Sequence, residues 1–170
     1  METTAIRLYS LSYAKSKTYI AAAIFTLCNI ALPQLCHLIP NGGQILLPIY
    51  FFTLLGAYKY GWRVGLLTAL LSPLANSLIF GMPAPALLPA IMVKSAMLAL
   101  AAGYVAAYTR RVTILSLAIV VLGTQLLCTL IEWAYTGSLT AATQDFRVGM
   151  PGMAIQIIGV WAMLRYVIKK

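Results

Sequence analysis

Residues 85–135 read PALLPAIMVKSAMLALAAGYVAAY, then TRR, then VTILSLAIVVLGTQLLCTLIEWAY. The runs 85–108 and 112–135 each exceed the roughly 20 mostly apolar residues that a helix needs to cross about 30 Å of hydrocarbon. Between them Thr109-Arg110-Arg111 marks a turn at the membrane surface, because paired guanidinium groups do not follow an apolar chain into lipid. Two spans joined by a basic turn fix the solvent of this chain as a bilayer.

The whole composition agrees. Hydrophobic residues make up 62% of the 170 residues and charged residues 9%, with a mean hydropathy of +0.90. A soluble domain carries about 25% charged residues, so this chain cannot coat a surface that faces water. The same numbers exclude a disordered chain, a coiled coil and a disulfide-rich module. Cys28, Cys36 and Cys128 are odd in number and form no C-x-x-C pair, and they read as apolar fillers. The net charge of +9 reads as topology rather than as a nucleic-acid surface, because the basic residues sit between apolar runs.

Outward from the 85–135 hairpin, the same length criterion gives six spans: 18–36, 45–58, 62–80, 85–108, 112–135 and 148–168. The second is the shortest and comes after the turn signal Pro40-Asn41-Gly42-Gly43. The expected fold is an all-α integral membrane protein, one bundle of six transmembrane helices over residues 1–170. Residues 1–17 are expected to form a cytoplasmic N-terminal segment: they could imitate the n-region of a signal peptide, but the apolar run after them is too long for one and lacks an A-x-A site. With six spans, Arg7, Lys15, Lys17, Lys59, Arg63, Arg110, Arg111, Arg165, Lys169 and Lys170 all fall on one side, together with both termini. The opposite side receives Arg147. Lys and Arg collect in cytoplasmic loops, so both termini are expected in the cytoplasm and the protein in the cell's inner (plasma) membrane.

Nucleotide-binding glycine loops, H-E-x-x-H and G-x-S-x-G are absent, so no catalytic residue, metal or cofactor is expected and the chain is not expected to be an enzyme. Chemistry is concentrated instead in a few polar groups inside the spans, where each is costly. Lys94 stands about 14 Å from the start of its span by helical rise. Glu132, Thr129, Cys128 and Gln125 share one face of the next span at offsets of three, four and seven. Asn76 and Ser72 share a face in span three, Gln156 lies in span six, and Asn29 and Gln34 in span one. These groups cluster toward the outward half, as a pocket open to the outside requires and a channel does not. Two readings of them stand side by side: ligand contacts, or interhelical glue, including a structural Lys94–Glu132 ion pair. Arg147 stands at the mouth, where it meets either an anionic ligand or Asp145.

Small residues repeat every four positions at Ala14, Thr18, Ala22 and Thr26, a spacing that lets helices approach closely. Because this stripe extends toward the cytoplasm, it is a candidate docking face for an external helix.

Together with size, span number and the basic inner face, one stretch resembles the substrate-binding S components of energy-coupling factor (ECF) vitamin transporters. It comprises Leu38-Ile39-Pro40-Asn41-Gly42-Gly43-Gln44, Leu47-Pro48, Tyr60-Gly61-Trp62-Arg63-Val64-Gly65-Leu66, Leu71-Ser72-Pro73-Leu74, Gly81-Met82-Pro83 and Leu88-Pro89. The resemblance implies high-affinity binding of a water-soluble vitamin or related micronutrient near the extracellular surface. It maps the site onto Lys94, Gln125, Glu132 and Gln156, with Asn41 and Gln44 as a lid. It also implies import as one subunit of an ABC-type transporter, with a transmembrane coupling protein and two ATPases as partners. The Thr18-Ala22-Thr26 stripe departs from the paired alanines of the family's docking motif. A structural six-span scaffold of the cell-shape type is the alternative, and a small enzyme acting on lipid headgroups is a third class.

Overall fold

The computed structural model describes residues 8–38 and 40–168, without the side chains of Ala141 and Asp145. The expectations for residues 1–7, Ile39, Lys169 and Lys170, and for a pairing of Asp145 with Arg147, lie outside the described residues. Among the described residues every regular element is helical. The order is α1 (Ser16–Cys36), α2 (Gly42–Leu46), a 3-10 turn (Pro48–Tyr50), α3 (Phe51–Tyr60), α4 (Trp62–Phe80), α5 (Leu88–Thr109), α6 (Ile114–Thr136), α7 (Leu139–Ala142), α8 (Gln144–Val148) and α9 (Met150–Ala162). A π turn, Met163–Val167, continues α9.

Five segments are long and apolar enough to cross a membrane: α1, α4, α5, α6 and α9 with its π turn. Large apolar side chains such as Leu27, Leu78 and Leu115 stand exposed on their outer faces. Such a surface suits contact with lipid tails.

Local chemistry sets the helix ends. Gly61 at φ 96° separates α3 from α4, and Gly81 at φ 70° closes α4 in the left-handed conformation that glycine adopts without strain. Pro89 sits in the first turn of α5, where its missing N–H costs nothing. The Thr113 hydroxyl accepts from the Ser116 N–H while the Ser116 hydroxyl accepts from the Thr113 N–H, a reciprocal cap that starts α6.

The expected second span, 45–58, is not one continuous helix. It breaks at Leu47, which precedes Pro48 and takes a left-handed conformation at φ 48°. A residue before proline is disfavoured in the α region, and proline lacks the N–H that would carry the helix through. Beyond the break lies α3, only ten residues long, of which eight are buried. It packs against α1, α4, α5 and α9 and forms the centre of the bundle.

At the basic end, main chain from the N-terminal segment closes over the joint between α3 and α4. The Tyr9 N–H donates to the Lys59 carbonyl at 2.8 Å, and the Leu11 N–H to the Tyr60 carbonyl at 3.0 Å. Lys59 is fully buried there and donates to the Ile168 carbonyl at 3.0 Å, at the end of the π turn.

Candidate functional site

The site is built where α5, α6 and α9 meet the broken segment. Because α5 begins at Leu88 rather than near Pro85, Lys94 lies about 9 Å from the helix start by helical rise. From there it reaches across to Glu132 on α6. The Lys94 Nζ lies 2.7 Å from the Glu132 Oε2, with side-chain exposures of 16% and 33%. The ion pair is thus partly closed from its surroundings, with the carboxylate the more exposed partner.

Beneath the pair is a narrow cavity of about 20 Å³, lined by Lys94, Thr124, Gln125, Gln156, Leu47 and Tyr50 among others. A space of that size accommodates about one water molecule. Gln156 is buried and donates from its side-chain amide to the Leu47 carbonyl at 3.4 Å, tying α9 to the break in the second segment. Leu47 and Tyr50, on either side of the break at Pro48, therefore supply one wall of the cavity. The close approach of α9 depends on Gly152, where a Cβ would lie 2.5 Å from the Leu46 carbonyl carbon.

Thr124 also lines the cavity, and its buried hydroxyl has no hydrogen-bond partner. A buried hydroxyl without a partner is unfavourable, so its presence on a cavity wall marks a place for a polar group. Sequence reading passed over it although it precedes Gln125 directly. Four groups thus face one space with both donor and acceptor capacity: an ammonium, two amides and a hydroxyl, with a carboxylate above. Such a set can hold a molecule that carries opposite charges, its anion on Lys94 and its cation on Glu132.

Other expected site residues lie elsewhere. Asn76 is buried in a separate network between α1, α3, α4 and α5. Its side-chain amide donates to the main-chain carbonyls of Asn29 and Ser72, both at 3.0 Å. The Asn29 side-chain amide donates to the hydroxyls of Thr53 (3.0 Å) and Ser72 (3.2 Å), and its Oδ1 accepts from the Phe52 N–H at 3.2 Å. That last bond caps the first turn of α3, whose N–H groups begin inside the bundle without a helical partner. These polar groups therefore form two clusters, not one shelf.

Asn41 and Gln44 are exposed on and beside α2, and neither lines the cavity. Arg147 is exposed on α8, where it borders an open depression with Thr140 and Gln144. The small-residue stripe of α1 turns inward. Thr18 is 0% and Ala22 2% exposed, and the Thr18 hydroxyl donates to the Ser12 carbonyl at 2.6 Å. Ala14 lies exposed before α1, and the Thr26 hydroxyl is buried. At Thr18 and Ala22 the stripe packs α1 against the bundle, and the exposed face of α1 is a different one, along Ile20, Ile24, Leu27 and Leu35.

No known protein family, curated protein or solved structure matches this chain. Its site must be read from its own geometry. Among the described residues, no three His, Cys, Asp or Glu side chains come together as metal ligands.

Proposed function

We propose that this chain is a membrane-embedded binding subunit that captures a small polar solute from the outer side, as the S component of an ECF-type importer does. One observation carries the reading. Lys94, Gln125, Gln156 and the unpartnered Thr124 hydroxyl converge on one cavity beside the Lys94–Glu132 pair. Six spans, with both termini and the basic residues in the cytoplasm of a bacterial cell, complete this reading. A transmembrane coupling protein and two ATPases would energise import, docking on a face other than the inward-turned stripe of α1.

The cavity as it stands holds about one water, so a vitamin-sized solute enters only when the ion pair opens and the Leu47–Tyr50 wall withdraws. A zwitterionic solute favours that exchange, because it replaces each partner of the pair with an opposite charge of its own and leaves neither ion unpaired.

The small cavity and the made ion pair also favour a second reading, a structural six-span scaffold in which the cluster is glue. Mass spectrometry of small molecules released from the purified, detergent-solubilised protein separates the two. A stoichiometric polar solute, lost in Lys94→Ala with membrane insertion intact, supports the binding subunit. An empty protein with no thermal shift across a panel of water-soluble vitamins supports the scaffold. Unchanged affinity in Lys94→Ala would show this lysine to be structural.

A further inference from the structure

A second, much larger hollow lies toward the other end of α5 from Lys94. A groove of about 850 Å³ runs between the N-terminal segment and α5, walled by Leu8, Tyr9, Trp62, Leu100 and Tyr104 and ending at Arg110. We propose that this groove holds one anionic phospholipid of the basic-side leaflet, its acyl chain along α5 and its phosphate on Arg110.

Three observations point to that occupant. The first is length: from Leu100 to Arg110 the helix rises about 15 Å, half the hydrocarbon thickness and thus one leaflet. The second is charge. The groove wall is apolar from Leu100 through Ala107, and its end is the exposed Arg110, at the left-handed cap of α5. A second cation is close by: Arg63 follows the groove-lining Trp62, and its guanidinium lies 4.7 Å from the centroid of the Trp62 ring. A lipid with an apolar tail and an anionic head matches this order, whereas a wholly apolar partner leaves Arg110 unanswered. The third is depth. Tyr104 and Tyr108, 72% and 82% exposed, stack at 6.5 Å between centroids just before Arg110. Tyrosines in that position mark the level of the headgroups.

The groove is built into the fold. At Gly103 a Cβ would lie 2.5 Å from the Trp62 Cβ and 2.6 Å from its main-chain nitrogen, so α5 lies directly on the start of α4. That contact forms the groove floor, and the Tyr9 and Leu11 main-chain bonds hold its far wall.

The test uses the full chain in detergent, with native mass spectrometry of retained lipid. The probes are phosphatidylglycerol and phosphatidylcholine of identical acyl chains. The expected result is one phosphatidylglycerol retained in preference to phosphatidylcholine. Arg110→Gln lowers its retention about five-fold, the equivalent of one basic side chain at an anionic surface. Ala107→Trp, which fills the exposed groove, lowers retention of both lipids, and Tyr104→Ala serves if the bulky variant does not fold. Raising the salt concentration needs no variant and weakens phosphatidylglycerol selectively. Equal retention of both lipids by the wild type, or retention unchanged in Arg110→Gln, overturns the proposal. So does retention of neither lipid, which would leave the groove to a partner helix.

Discussion

The side-chain amide of Asn76 on α4 donates at 3.0 Å to the main-chain carbonyl of Asn29 on α1, and Pro33 is the reason it must. In a continuous helix that carbonyl accepts from the N–H of the residue four positions on, and proline has none. Inside lipid no water replaces the missing donor, so a neighbouring helix supplies it.

Asn76→Ala is therefore expected to destabilise the protein by about 1–3 kcal/mol, the cost of leaving a buried acceptor unsatisfied. Pro33→Ala returns an N–H to Asn29 and should recover part of that loss in the double variant. Thermal unfolding of the four proteins in one detergent measures the coupling. Additive losses would show that the two residues act independently.

The Lys94–Glu132 pair gives the opposite kind of cycle. Either Lys94→Met or Glu132→Leu strands one charge, whereas the double variant removes both. Each single variant should unfold more readily than the double, with a coupling of about 1 kcal/mol for side chains in contact.

Tyr58 crosses the bundle from α3 to the start of α6. Its hydroxyl lies 2.8 Å from both the Arg111 carbonyl and the Ser116 hydroxyl. Tyr58→Phe keeps the packing and removes only that bridge, so a loss of about 1 kcal/mol is expected in the same unfolding assay.

Gly152→Ala tests the tie between α9 and the broken segment. The new Cβ would meet the Leu46 carbonyl group at 2.5–2.6 Å, and main chain cannot rotate away as a side chain can. Overpacking of this kind costs about 1–3 kcal/mol. If the cavity is a binding site, the same variant weakens solute binding by displacing the Leu47 wall.

Topology is decided by two exposed positions. With the native cysteines replaced, Asn41→Cys should react with an impermeant maleimide on intact cells, and Arg110→Cys only after permeabilisation. The two sites fall on opposite sides if residues 42–60 cross the membrane. Labelling of both from one side would leave five crossings.

The legible parts of this fold were those where one residue type decides the outcome. Span 62–80 coincides with α4 because glycines bracket it, and α1, α5 and α6 begin and end within a few residues of the apolar runs. The second span was illegible because its central helix is buried on nearly every side, so no polar face gives it a period. At the site, depth alone grouped Asn76 with Lys94, Gln125 and Gln156, but depth carries no information about rotation around the helix. The four-residue spacing of Asn29 and Pro33 does carry it, since it names a carbonyl that some other helix must answer. The burial of Thr18 and Ala22 was hidden for the same reason: a small-residue stripe reads alike whether it faces inward or outward.

The ten-residue length of α3 has a consequence for how the chain enters the bilayer during synthesis. At about 15 Å it covers half the hydrocarbon, and its penultimate residue is the buried Lys59, which donates to the Ile168 carbonyl. Alone it is too short to anchor itself as an independent first-stage helix. It enters joined to α4 through the tight Gly61 corner. The centre of the bundle is thus placed by the longer helices packed around it.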